Sequence, residues 1–176
     1  AAMSAISIVA THEYGCSVKA YPDIAQAGKE FWETEIYDTN ASASTGIDSG
    51  LRIAQLIHDA LTVANMNAWH YWWVYASDGK GGLFNSNTPT KRLWVEGNYS
   101  RFVRPGFQRV STSGSVSNVL LTAFKNPTDG TVVVVAANKG TSAANLGVFI
   151  SGAAPCAMAR AVASSSQDLG VGGDLA

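Results

Sequence analysis

The sequence predicts an α/β segment of about three strand–helix units, followed by a small antiparallel β region. Two patterns carry that reading. Apolar runs of strand length alternate with helical patterns as far as Pro105, the order of an α/β unit with parallel strands. After Gly106 come β-rich runs about a dozen residues apart, separated by turn residues, as in a sandwich. Composition agrees with a folded chain: of 176 residues, 47% are hydrophobic and 14% charged. We divide the chain into residues 1–105, a sandwich-like region 106–165, and a Gly-rich tail 166–176.

Ile6–Ala10 is the first apolar run, and it ends in Thr11-His12-Glu13-Tyr14-Gly15. Between Cys16 and Lys29 there is room for little more than one helical turn, with Asp23 as a cap and Gly28 as a stop. Glu30–Ile36 is the second strand, and Asn40–Ser49 is a small, polar loop. Leu51, Ile53, Ala54, Ile57, Leu61 and Ala64 recur at spacings of three and four, which predicts a helix from about Asp48 to Ala64. His58 falls off that stripe and reads as an exposed helix residue. Met66–Tyr75 is the third strand, and Ser77–Gly82 reads as a mobile loop. Thr88-Pro89 opens a second helix, with Thr88 as cap and Pro89 at the first position; Pro105-Gly106 closes it. Phe107–Thr112, Val116–Lys125, Thr131–Ala137, Asn145–Ile150 and Met158–Ala163 follow as strands, and Asn126–Gly130 as a hairpin turn.

A net charge of −1 with no basic block argues against nucleic acid or an anionic membrane as partner. No apolar run is long enough to span a bilayer. Ala1–Ala5 shows no charged segment leading into an apolar one, so no signal peptide is read. Cys16 and Cys156 stand far apart, without the spacing of a metal site, and their pairing stays open. No metal or cofactor is expected.

The stretch that points to chemistry is Lys29-Glu30-Phe31-Trp32-Glu33-Thr34-Glu35-Ile36-Tyr37. Regular alternation puts Phe31, Glu33 and Glu35 on one face, and Trp32, Thr34 and Ile36 on the other. A carboxylate at the carboxyl end of a strand in an α/β protein is where a catalytic group is held. The alternative is a solvated acid at a strand end.

His12-x-Tyr14-Gly15, Trp32-x-Thr34-Glu35, Asn67-Ala68-x-x-Tyr71-Trp72-Trp73 and Asn98-Tyr99-Ser100-Arg101-Phe102-Val103-Arg104-Pro105-Gly106 occur in series. In that order and spacing they resemble glycoside hydrolase family 30, and most of all its bacterial endoxylanase branch, over roughly Ile6 to Ile150. The resemblance implies a (β/α)8 barrel with a β-sandwich at its side, of which this chain supplies barrel strands six to eight and part of the sandwich. It implies double displacement with Glu35 as nucleophile, a xylan-type polysaccharide as substrate, and a secreted parent protein. The family's acid/base lies at the end of strand four, which has no counterpart here; a full barrel takes ~250 residues.

Within the chain, Glu33 is a weak candidate for that acid, and Glu13 and Asp38 are further ones. Tyr14 is expected to hold Glu35 in line and His12 to meet a sugar hydroxyl. Trp72 or Trp73 is expected to lie beneath the sugar, with Trp73 preferred, and Tyr37 and Tyr75 to line the cleft. The segment after the third strand has no Arg to pair with a glucuronic acid side group, so neutral xylan is preferred, with β-1,6-linked galactan or glucan as other substrates. An incomplete barrel exposes a strand edge and an apolar face, so self-association is expected. The competing reading is a carbohydrate-binding or structural remnant without turnover.

Overall fold

The computed structural model describes residues 2–39, 45–76, 81–152 and 158–172. After a short 3-10 turn at Ala2–Ala5, strand β1 (Ile8–Thr11), helix α1 (Pro22–Gln26), strand β2 (Glu30–Ile36), helix α2 (Ile47–Thr62) and strand β3 (Ala68–Tyr71) follow in order. The three strands form a parallel sheet in the order β1-β2-β3, as the alternating pattern predicts. α1 begins on Pro22 with no side-chain cap; Asp23 lies in its first turn and is not the cap. There the acid still favours the helix electrostatically. Gly28 then takes a positive φ of 64° to turn the chain into β2.

α2 is the wall between two cores. Ala60 and the residues just beyond the helix, Ala64 and Met66, close over Phe31 of the parallel sheet. Ile53 and Ile57 meet Tyr99, Phe124 and Val135 in a second cluster. Burying two Ile side chains fully is worth on the order of 3–6 kcal/mol. His58 is a correction to the exposed reading. It is half-buried, with Nδ1 2.8 Å from Thr122 Oγ1 on the far side of the helix from the sheet, and burial lowers its pKa.

The third strand is shorter than expected. Pairing with β2 continues only as far as the Trp72 N–H, which donates to Ile36 O. Beyond it, β4 (Tyr75–Ala76), β5 (Phe84–Asn85) and β6 (Thr88–Pro89) form a separate small sheet. Thr88 and Pro89 therefore belong to a strand, and helix α3 (Lys91–Ser100) starts after Thr90, which makes no side-chain cap bond. The Thr90 hydroxyl is instead used on Gly82 O and Leu83 O. Residues 77–80 lie outside the described residues, as does the first half of the loop expected over Asn40–Ser49.

After α3, β7 (Gln108–Val110), β8 (Val119–Lys125) and β9 (Val132–Asn138) form an antiparallel sheet. Asn126–Gly130 makes the predicted hairpin turn, closed by Asn126 N–H to Thr131 O, with Gly130 at φ 78°. Residues 145–150, expected as a strand, carry none. β10 (Arg160–Val162) pairs with β11 (Gly170–Gly172), so the tail, unreadable in the sequence, contributes a strand. Lys91 bonds Asp168 at 2.5 Å, anchoring the tail on α3.

α2 and α3 meet at Gly50, where an added Cβ would lie 2.7 Å from Val95 Cγ2 and 2.9 Å from the Lys91 carbonyl oxygen. One of those neighbours is backbone and cannot swing aside. Gly50→Ala is therefore expected to lose about 1–3 kcal/mol of stability, seen as a lower denaturant midpoint. An unchanged midpoint would mean that the helices are free to separate.

Candidate active site

The carboxyl end of the parallel sheet gathers His12, Glu13, Tyr14, Glu33, Glu35, Tyr37 and Asp38. Between Glu33 and Ile36 the β2–β3 register shifts, with three steps on β2 against two on β3 (Glu33↔Trp69, Ile36↔Tyr71). This is one inserted residue, a bulge. It overturns the regular alternation: Phe31, Glu33 and Ile36 are buried, while Glu35 stands off that row and is 24% exposed. Glu33 and Glu35 thus do not share a face, and the Glu33 side chain is 0% exposed.

Glu35 is met by His12, whose Nδ1 lies 3.8 Å from Oε2. The Tyr14 hydroxyl is buried and, among the described residues, meets no acceptor at full hydrogen-bond geometry; burial, and then the charge and looser bonding of Glu35, push its pKa up to about 12. Rings continue outward from Tyr14, with Tyr37 edge-on at 5.5 Å and Trp73 stacked on Tyr37 at 5.1 Å. Gly81 backs this stack, since a Cβ there would lie 3.2 Å from Tyr37 and 3.3 Å from Trp73. Trp73 is therefore fixed against neighbours, while Trp72 is 47% exposed and Tyr75 is exposed beyond it. Both Trp residues lie past the end of β3, so strand alternation does not separate them; the stack does.

Beside the rings is a crevice of about 300 Å³ lined by Glu13, Tyr14, Tyr37, Asp38, Arg52 and Leu56, among others. Asp38 is buried, accepts from Ser49 Oγ at 2.7 Å and is paired with Arg52 at 2.7 Å. Its N–H donates to Tyr71 Oη, and Tyr71 donates to Gly81 O at 2.6 Å. Asp38 is thus a clamp between β2, α2 and β3, engaged on both oxygens. Sequence reasoning missed this clamp, although Ser49 and Arg52 sit three apart on one helix face. It also missed Asn67, which exchanges two bonds with Phe31 (Phe31 N–H to Oδ1, 2.8 Å; Asn67 N–H to Phe31 O, 2.7 Å) and starts β3. Glu96 went unread too: its Oε2 is buried without a partner, and burial pushes its pKa up to about 7. Among the described residues no cluster suited to a metal ion occurs, and no helix is long and apolar enough to cross a membrane. Cys16 is exposed; Cys156 lies outside the described residues.

Residues 106–165 match the glycosyl hydrolase family 30 beta sandwich domain. The whole chain aligns with Glucuronoxylanase XynC of Bacillus subtilis (strain 168), 32% identical over 99% of this chain and 42% of the relative. Among solved structures it superimposes on a GH30 endoxylanase from Clostridium papyrosolvens C71 with a TM-score of 0.85 and 32% identity, covering 98% of this chain and 44% of that one. The subfamily 8 xylanase Xyn30A from Clostridium acetobutylicum gives 0.84 and 30%, covering 96% and 42%. Residues 106–165 thus carry the family 30 sandwich, and the chain as a whole is similar to family 30 xylanases. It spans less than half the length of these family 30 relatives, and it aligns with them from its first strand to its tail.

Glu96 offers a test of the site's supporting layer. A carboxyl whose folded pKa is raised to about 7 keeps a proton that the unfolded chain has released, so stability is greatest below the ordinary carboxyl value and falls as pH rises toward 7. Glu96→Gln is expected to remove part of that decline, on the order of 1–3 kcal/mol between pH 4.5 and 7. Thermal melts across that range check it, and an unaltered slope would count against the raised value.

Proposed function

We propose that this chain carries the nucleophile side of a retaining endo-β-glycanase site acting on xylan-type polysaccharide. The carrying observation is Glu35 itself. Of the four carboxyls gathered at the end of the parallel sheet, Glu13, Glu33 and Asp38 are buried, and Glu35 alone is partly open beside a ring platform. An anionic oxygen there attacks the anomeric carbon, and the Tyr37–Trp73 stack gives a sugar ring an apolar face to rest on. His12, half exposed and beside Glu35, is suited to a sugar hydroxyl. Tyr14 is suited to aligning the carboxylate once substrate draws the two together.

The second carboxyl group of such a mechanism stands about 5–5.5 Å from the nucleophile across the scissile bond. Glu33 is enclosed and Asp38 is ion-paired, so neither offers an open acid; we read the acid/base as supplied from outside the described residues. In this reading β1, β2 and β3 are strands six, seven and eight of a (β/α)8 barrel, and the parent enzyme is secreted. Ile8 of the parallel sheet is exposed, as are Trp72, Val74 and Tyr75 just past the end of β3, and a parallel sheet is ordinarily covered on both faces. We therefore propose self-association over the open face, expected in sedimentation as a species heavier than 18.5 kDa; a monomer at all concentrations would remove this part.

An activated aryl β-xylobioside needs no general acid to leave, so it isolates the nucleophile. With its 2-fluoro analogue, Glu35 is expected to form a stable glycosyl ester, found by mass spectrometry on the peptide containing it and absent in Glu35→Gln. No adduct, with xylo-oligosaccharide binding intact, would leave a binding remnant. The relatives named for glucuronoxylan and the absence of Arg over Val74–Asp78 point to different substrates; Asp78 lies outside the described residues. Labelling by neutral and by glucuronic-acid-substituted oligosaccharides separates them, and we expect the neutral one to react at least as fast.

A further inference from the structure

We propose that Glu13 and Glu33 form a carboxyl pair sharing one proton beneath the sheet, and that Glu33 is through it the positioning residue for Glu35. This goes beyond the reading of Glu35 as nucleophile and rests on it. The two acids occupy the unspecified positions of His12-x-Tyr14 and Trp32-x-Thr34-Glu35, so the family resemblance assigns them nothing.

The geometry begins with the bulge. An inserted residue disrupts the ladder and leaves main-chain groups to find other partners. Glu33 holds the irregularity at both ends: its Oε1 accepts the Glu35 N–H at 3.2 Å, and its carbonyl oxygen lies 3.0 Å from His70 Nδ1. The Glu33 carboxyl is thus tied directly to the Glu35 backbone.

That carboxyl is fully buried, and among the described residues its Oε2 has no hydrogen-bond partner; Glu13, also buried, has an Oε2 that is likewise unpartnered among them. A carboxylate only accepts, so two charged ones cannot satisfy each other. One proton makes one of them a donor to the other. The side chains interact, and the charge of Glu13 bears on Glu33. The titratable and charged groups around them are Tyr14 at the end of β1, Glu35 on β2, His70 on β3 and Asp59 on α2, with Asp38 and Arg52, which pair with each other, in the crevice that Glu13 also lines. Asp59 and Glu35 are acids, which oppose a second negative charge. Burial is the largest cause that pushes Glu33 up to about 7, and it also raises Glu13. With one proton between them the pair carries a single negative charge and keeps an acceptor for the Glu35 N–H.

The test is a carboxyl-13C titration of the glutamates in the full chain, with Glu33→Gln and Glu13→Gln for assignment and perturbation. Glu33 is expected to titrate near neutrality, and Glu13→Gln, which supplies a fixed amide donor, to lower that midpoint by about one pH unit or more. Glu35 is expected to show a second inflection at the Glu33 midpoint, lost in Glu33→Gln. The Glu35 amide should stay protected from hydrogen exchange in Glu33→Gln, whose amide oxygen still accepts, and lose protection in Glu33→Leu. A Glu33 midpoint unmoved by Glu13→Gln would overturn the shared proton. A Glu35 profile identical in Glu33→Gln would overturn the positioning role. Should Glu33→Leu fail to fold, the two Gln variants decide. None of these readings uses turnover, so coupled titrations without a Glu35 glycosyl ester would sink the nucleophile reading and leave the pair standing.

Discussion

The packing of α2 against two different β-sheets is the constraint on which the rest of the structure depends. One side of the helix region offers small groups, Ala60 and Ala64, which let the parallel sheet approach closely and enclose Phe31. The other offers Ile53 and Ile57 to Phe124 and Val135 of the antiparallel sheet, with Tyr99 of α3 between them. A helix used on two sides cannot be a simple amphipathic surface helix. That is why His58, off the main apolar stripe, still ends against Thr122.

The site inherits its geometry from the same helix. Asp38 follows β2 and is tied to Ser49 and Arg52 in the first turns of α2. Tyr71 of β3 bonds the Asp38 N–H and reaches on to the Gly81 carbonyl. Gly81 in turn supports the Tyr37–Trp73 stack. A chain of short contacts therefore runs from α2 through the strand ends to the ring platform beside Glu35. Buried ionic contacts of this kind add little net stability but are costly to break, which suits a part whose task is to fix positions.

Much of this was legible in the sequence because it rests on periodicity. The parallel strands, α2 and the Asn126–Gly130 hairpin all follow from apolar spacing or turn residues. The misreadings share a cause, which is that local pattern was overridden by tertiary partners. Thr88-Pro89 is good helix-start chemistry, yet Pro89 pairs across from Phe84 and the helix waits until Lys91. Residues 145–150 are apolar but found no ladder to join, whereas Gly170–Gly172 did. The site residues were legible as a set, from strand ends and family resemblance. Their division into open and enclosed was not, because it turns on a bulge that alternation does not announce. Two acids at Glu13 and Glu33, each set beside ring residues at a strand end, were the available signal.

Glu33 and Glu35 are the same residue type, two positions apart on one strand, and they differ in everything the chemistry uses. Regular pleating would have given them one environment, and two like charges on one wall would have opposed each other. The inserted residue separates them, enclosing one carboxyl completely and leaving the other partly open near His12. Environment rather than residue identity then assigns the roles. A buried acid that keeps its proton can anchor the backbone without adding a second full charge beside the nucleophile. The bulge, which is a cost to the ladder, is in this view what lets one short strand carry both an anchor and an exposed carboxylate.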